Sequence, residues 1–164
     1  MNLLINFLAI LSILSCQQGQ NKTLEKDDYS VNYPVHLELD VSGQDGTSFI
    51  LKTQKEGDND FFIENINLVI TDAKKTSFND LVNKAKTDIG SVADIVEGKS
   101  LDINGKNCFK MTFKLTQNNI DFTVVQHYFL ENQKAYLLTF TSETSKFKKY
   151  FDEINKVFSS FKIK

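Results

Sequence analysis

Residues 101–140 read LDINGKNCFKMTFKLTQNNIDFTVVQHYFLENQKAYLLTF, a run of largely alternating apolar and polar positions. Asn104-Gly105 is the strongest hairpin signal in the chain, because both residue types accept the positive φ values of a type I′ turn. Asn118-Asn119 and Asn132-Gln133 are two further turn candidates. Two-residue loops at these places predict adjacent antiparallel strands with the following opposed pairs: Leu101 with Cys108, Ile103 with Lys106, Leu115 with Phe122, Phe113 with Val124, Phe129 with Tyr136, and Val125 with Phe140.

These registers divide the side chains between two faces of the predicted sheet, because directly opposed residues share a face. Both faces are largely apolar, so each needs a covering layer. The predicted fold class is therefore α+β, a three-layer α/β/α sandwich with a central antiparallel sheet and two main helices. The first face collects Phe109, Met111, Phe113, Leu115, Phe122, Val124, Tyr128, Leu130 and Leu137, and the second collects Leu101, Ile103, Cys108, Val125, His127, Phe129, Tyr136, Leu138 and Phe140.

Two stretches have the apolar spacing of amphipathic helices. The first begins at Ser77, whose hydroxyl can cap the free backbone amides, with Asp80 completing an S-x-x-D capping box and Gly90 ending the helix. The second lies near the C-terminus and carries the longest helical stripe in the chain. The two stripes are Phe78, Leu81, Val82, Ala85 and Ile89, and then Phe147, Tyr150, Phe151, Ile154, Val157, Phe158 and Phe161.

The chain before the first helix reads as extended segments. Pro34 restricts Tyr33 to the β region, so residues 29–34 are predicted to be extended. Residues 35–41 alternate strictly between apolar and polar, which indicates a half-buried strand. Two further strands are predicted, over residues 47–53 and 61–71.

Residues 3–14 read LLINFLAILSIL, an apolar run of the length of a secretory signal and too short for a spanning helix, which needs about 20 apolar residues. The run ends in Ile13-Leu14-Ser15-Cys16, which resembles the lipobox of bacterial lipoproteins. In that motif a peptidase cuts before the cysteine, which becomes the lipid-bearing N-terminus. A plain secretory signal and an uncleaved signal anchor are the alternatives, and the residues before the run contain no Lys or Arg.

The predicted organisation has three parts. Residues 1–15 are a signal peptide, residues 16–28 are a lipidated N-terminus and a flexible tether, and residues 29–164 are one folded domain. The tether is predicted because residues 17–28 contain a single apolar side chain, Leu24.

Charge and composition argue against nucleic acid as a partner. The formal net charge is −2, and all 19 basic residues are Lys, so the chain lacks the planar Arg fork that reads phosphates and guanine edges. The two cysteines are Cys16 and Cys108. If Cys16 carries lipid, no partner remains for an intramolecular disulfide.

The remaining reactive side chains predict no catalytic, cofactor or metal site. His36 and His127 lie far apart with no zinc-ligand spacing, and His127 is expected to be a partly buried structural residue. Cys108 is expected to be a small core residue, because its predicted neighbours are Leu101 and Phe129. Residues 56–60, EGDND, are too short for a calcium loop and lack its distal Glu. We therefore expect no enzyme and no cofactor.

Six segments of the chain match the pattern of one known family: YSVNYP (29–34), ENINLVI (64–70), SF (77–78), INGK (103–106), KAYLLTF (134–140) and FSSF (158–161). From about residue 29 to residue 161 the chain resembles the PsbP/Mog1/DcrB-like group of proteins. The resemblance implies a small α/β/α sandwich on an antiparallel sheet, and it implies protein binding, as in plant photosystem accessory subunits and a Ran-binding nuclear factor. None of the six segments is a catalytic motif. One departure from the family is the absence of Trp after the opening proline.

The sequence thus predicts a lipid-anchored, non-enzymatic protein of the cell envelope that binds or helps to assemble another protein. Its partners are the membrane, through lipid on Cys16, and a protein that the sequence does not identify. The alternative is a carrier of a small molecule or ion, with a pocket between sheet and helix.

Overall fold

The structure, a computed structural model, describes residues 20–164 and contains two antiparallel sheets and two α-helices. The larger sheet has seven strands in the order β3-β4-β5-β9-β8-β7-β6, and the smaller has three in the order β1-β2-β10. The strands are β1 (Asn21–Glu25), β2 (Tyr29–Pro34), β3 (Glu38–Asp40), β4 (Thr47–Lys52), β5 (Asn65–Asp72), β6 (Asp94–Ile103), β7 (Lys106–Gln117), β8 (Ile120–Glu131), β9 (Lys134–Glu143) and β10 (Lys162–Ile163), and the helices are α1 (Phe78–Gly90) and α2 (Phe147–Ser160).

Strands β6 to β9 form a meander in which each strand pairs with the next. All six predicted pairs occur, including Ile103 opposite Lys106, Phe113 opposite Val124 and Val125 opposite Phe140. Each turn holds two residues with positive φ, at 54° and 77° in the Asn104-Gly105 turn. The turn chemistry therefore determines the register of these four strands.

The two faces of the meander belong to two separate hydrophobic clusters. One cluster joins Met111, Phe113 and Val124 to side chains of α1, and the other joins Val125, Phe129 and Leu138 to side chains of α2. The predicted division of side chains between faces is confirmed, except that Leu130 is only half-buried and belongs to neither cluster.

Both helices occur where the apolar spacing predicts them. Ser77 and Asp80 form the predicted reciprocal capping box at the start of α1, which buries Val82 and Ala85. Helix α2 buries Ile154, Val157 and Phe158, whereas Phe151 of the predicted stripe is only half-buried.

The predicted flexible tether over residues 16–28 is wrong for residues 21–25, which form β1. This strand pairs along its whole length with β2, and Leu24 packs against the main core opposite Val31. An edge strand is held by backbone hydrogen bonds, so exposed polar side chains are compatible with it. The folded domain thus includes residues 21–25, which the prediction left outside it. The predicted signal peptide, Cys16 and residues 16–19 lie outside the described residues.

Two of the strands predicted before α1 are shorter in the structure. Between Pro34 and Leu37 the chain makes a turn, so only Glu38–Asp40 of the predicted strand 35–41 pairs with β4. Val35 and Val41 are consequently exposed. Strand β5 begins at Asn65, and Phe61 lies outside it with 82% of its surface exposed. Alternation of apolar and polar residues does not show where the neighbouring strand ends, so it overestimates the length of these strands.

Candidate functional site

His127 lies inside the core and does not face solvent. Its ring packs edge-on against Phe158 with the centroids 4.5 Å apart, and only 4% of the residue is exposed. Burial, together with the charge of Lys110, lowers the pKa of His127 to about 3, so the imidazole is neutral at physiological pH. The predicted burial is confirmed, and it is more complete than the sequence predicted.

Cys108 is fully buried opposite Leu101 and Phe129, as predicted. Burial raises the pKa of its thiol to about 12. A thiolate does not form at neutral pH under these conditions, so the side chain acts as a small core residue.

A buried charge cluster joins the start of β5 to the start of α2, and the sequence analysis missed it. The Nζ of Lys146 lies 2.5 Å from Oδ1 of Asp60 and 3.7 Å from one carboxylate oxygen each of Glu64 and Glu143. Glu64 is fully buried, and neither of its carboxylate oxygens has a hydrogen bond of good geometry. The only signal in the sequence is that Glu64 interrupts an otherwise apolar stretch.

Two effects compete in setting the pKa values of this cluster: burial disfavours the charged forms, and charge pairing favours them. Burial raises the pKa of Glu64, an effect that backbone amides and Lys146 only partly offset. For Lys146, burial disfavours the charged form, but the hydrogen bond to Asp60 and the surrounding carboxylates outweigh it and raise the pKa. The cluster therefore keeps Lys146 charged.

The same helix end holds the acidic loop that precedes Glu64. Glu56 contacts Lys149 and the hydroxyl of Tyr150, and the Glu56 amide donates to Asp60 at 2.9 Å. Within residues 20–164 no group of three or more His, Cys, Asp or Glu side chains is placed to hold a metal ion. The acidic loop thus serves to fasten the β4–β5 connection to α2.

A groove of about 800 Å³ lies between the three-stranded sheet and α2. His36 and Glu153 line it, with Nε2 and Oε1 3.1 Å apart, and its other polar lining residues are Asn21, Asn32, Lys156 and Ser160. The chain enters the domain beside this groove, because the amide of Val35 donates to the carbonyl of Gln20 at 3.0 Å. Of the two histidines, His36 is the solvent-accessible one.

Exposed apolar side chains gather at one end of the seven-stranded sheet. We call Phe61, Ile63, Val92, Ile95 and Val96 the sheet-end patch; their exposed fractions run from 38% to 82%. A second groove, of about 590 Å³, lies at this end beside Val92, Leu115 and Phe122. Among the described residues, no helix is long and apolar enough to cross a membrane.

Comparison with known proteins places this domain in a family. The family model described as PsbP matches residues 20–163, which is nearly all of the described chain. The chain belongs to the PsbP family. The match begins at Gln20, in agreement with the position of β1. No curated protein gives a significant match.

Solved structures show the same fold at low sequence identity. A cyanobacterial PsbP (CyanoP) from Synechocystis is 16% identical with a TM-score of 0.66, and the match covers 89% of this chain and 94% of that one. LpqN of Mycobacterium tuberculosis, described as involved in cell envelope biogenesis, is 12% identical with a TM-score of 0.69, covering 88% and 90%. A protein of unknown function from Pseudomonas aeruginosa, described as a putative regulator, is 9% identical with a TM-score of 0.61, covering 87% and 96%.

Proposed function

We propose that this protein is a lipid-anchored, non-enzymatic member of the PsbP family that binds or helps to assemble another protein in the cell envelope. The observation that carries the proposal is the order of two segments in the chain. Ile13-Leu14-Ser15-Cys16 resembles a lipobox, and the PsbP family match begins at Gln20, four residues after the cysteine. A complete extracytoplasmic domain directly behind a lipidation signal is the arrangement of an anchored binding module.

The described side chains support a binding role more than a catalytic one. His127 and Cys108 belong to the core, and Lys146 and Lys149 near the start of α2 are held in ion pairs with Asp60 and Glu56. The description of LpqN as a protein of cell envelope biogenesis favours the same compartment. We also infer that the two hydrophobic clusters are the two interfaces of a three-layer α/β/α sandwich, whose outer layers are α1 and α2 on opposite faces of the sheet.

Crosslinking in intact cells tests the binding role. The chain, with an affinity tag after Lys164, is crosslinked, solubilised and purified, and its covalent partners are identified by mass spectrometry. The matched control is Cys16→Ser, which we expect to release the chain from membranes or to leave an unprocessed precursor. Discrete partners that are recovered with the anchored chain and lost with Cys16→Ser support the proposal. Recovery of background proteins alone contradicts it.

The groove beside His36 favours a second candidate, a carrier of a small molecule or ion. Its volume of about 800 Å³ is in the range of ligand sites, and His36 and Glu153 offer a donor and an acceptor at its wall. A ligand that binds there raises the unfolding midpoint with its concentration. Thermal shift against a metabolite library tests this, with Glu153→Ala as the variant that should lose the shift. A shift retained by Glu153→Ala would exclude this groove.

A further inference from the structure

Among residues 20–164, five of the seven exposed large apolar side chains belong to the sheet-end patch. The strand pairing puts them at one end of the molecule. Phe61 and Ile63 come directly before β5, and Val92 comes directly before β6; both strands start at the end where β7 ends and β8 begins. Phe62 connects the two parts of the patch. Its ring packs on Phe122 with the centroids 4.7 Å apart, and Phe122 lines the groove beside Val92.

The opposite end of the sheet has a different surface. It carries the turns Asn104-Gly105 and Asn132-Gln133 and a series of ion pairs. The pairs are Lys106 with Glu131 at 3.0 Å, Lys134 with Asp28 at 2.6 Å, and Lys164 with Glu25 at 2.7 Å. The two ends therefore differ in their exposed apolar side chains: the patch end carries five of them beside its own charged groups, and the opposite end carries ion pairs and polar turns.

The position of Gln20 shows how close an anchor at Cys16 would hold the domain. Gln20 bonds to Val35, and the next residue, His36, contacts Glu153. Glu153 lies about 9 Å along α2 from its first residue, at a rise of 1.5 Å per residue. Helix α2 in turn begins at the patch end of the sheet, because Lys146 contacts Glu64 and Glu143 there.

The chain between Cys16 and Gln20 is short, and it limits how far the domain can lie from a lipid on Cys16. Four residues span at most about 14 Å when fully extended. The anchor therefore holds the domain against the bilayer and leaves no room for a distant, freely tumbling position. The length of this segment does not choose between the two ends, so the surface chemistry decides which end faces the lipid.

We propose that the sheet-end patch is the face with which the anchored domain lies on the lipid bilayer, with Phe61 and Val92 in contact with the interface. The inference rests on the proposed lipid anchor at Cys16. Exposed Phe and Val side chains gain by entering the headgroup and acyl boundary, and they add a second contact to the acyl chains. Lys114, Asp94 and Asp121 line the groove at this end, so the contact depends on apolar area and not on a basic surface.

The absence of Trp from the sequence permits a direct test. Full-length chain carrying Phe61→Trp, Val92→Trp or, as the matched control, Val41→Trp is expressed in its native host, and the membrane-extracted mature protein is reconstituted into phosphatidylcholine vesicles containing brominated lipid. Val41 is also exposed and apolar but follows β3, at the other edge of the sheet. Vesicle flotation measures anchoring, and tryptophan emission measures contact with lipid.

We expect all three variants to float, and only Phe61→Trp and Val92→Trp to shift their emission to shorter wavelength and to be quenched by the brominated lipid. Floating chains whose patch tryptophans are quenched no more than Val41→Trp overturn the inference and leave the anchor intact. A patch tryptophan that responds to protein concentration and not to brominated lipid assigns the patch to a second copy, which also overturns it. Chains that do not float refute the anchor, and the inference falls with it.

Discussion

His127 makes the stability of the protein depend on acid in a predictable direction. Its pKa is about 3 in the folded protein, against about 6.5 in an unfolded chain. A base with a lowered pKa contributes stability that is present above pH 6.5 and is lost as the pH falls toward 3. We expect His127→Leu, which cannot titrate, to reduce the fall in unfolding free energy over this range by about 1.4 kcal/mol per pH unit. Urea unfolding at pH 4, 5, 6 and 7 measures it, and parallel pH profiles for the two proteins would contradict it.

Glu64 makes the stability of the protein depend on pH in the direction opposite to that of His127. Burial raises its folded-state pKa, so the stability that it contributes is full below its unfolded pKa and is lost as the pH rises through the folded value. We expect Glu64→Gln to match the native protein at pH 4 and to be more stable at pH 7. Glu131→Gln is the matched control, because Glu131 is only half-buried and its carboxylate is paired with Lys106. A Glu64→Gln protein that is less stable at pH 7 would mean that the ionised carboxylate supports Lys146 more than burial penalises it.

At the scale of single elements, the hairpin at Asn104-Gly105 gives the clearest prediction. Gly105 has φ 77°, and a Cβ added there would meet no atom within 4 Å. The cost of a substitution is therefore that of the backbone conformation alone. We expect Gly105→Val to lower the unfolding free energy by roughly 1–2 kcal/mol and Gly105→Asn to lower it by much less, because Asn tolerates positive φ. Equal stability of the two variants in urea would contradict this account of the turn.

The apolar stripe of α2 contains both fully buried and half-buried residues. Phe158 is 2% exposed and contacts His127, whereas Phe151 is half-buried and packs on Phe147 with the centroids 5.3 Å apart. We expect Phe158→Ala to cost about 3–5 kcal/mol, the usual range for a buried Phe, and Phe151→Ala to cost clearly less. Calorimetry or urea unfolding compares the two variants, and equal losses would place Phe151 in the core.

The elements that could be predicted from the sequence are those whose signals are local. A turn pair such as Asn104-Gly105 and the alternation around it specify both register and face, and Ser77 with Asp80 specifies a helix start. Strands β1 and β10 depend instead on β2, which is joined to β1 by a short turn and meets β10 from the other end of the chain. Their own residues carry too little apolar pattern to reveal that pairing.

The candidate site was less predictable for the same reason. The burial of Cys108 and His127 followed from cross-strand neighbours. The cluster of Asp60, Glu64, Glu143 and Lys146 forms only when a loop, two strand ends and a helix start meet. The spacing of these four residues in the sequence gives no indication that they come together.

At the scale of the whole molecule, β1 changes what an anchor at Cys16 would do. The sequence predicted a tether up to residue 28, which would let the domain move away from the membrane. Because β1 starts at Asn21, a lipid on Cys16 would keep the domain within a few residues of the bilayer. Under the proposed anchor, a protein partner would meet a surface that the membrane has already oriented.

Mass spectrometry of the mature N-terminal peptide, purified from the membranes of the native host, tests the proposed anchor most directly. We predict a peptide that begins at Cys16 and has a mass increased by covalent lipid on that residue. A mature chain that begins at any other residue, or a Cys16 that is unmodified in the membrane-bound protein, would contradict the account.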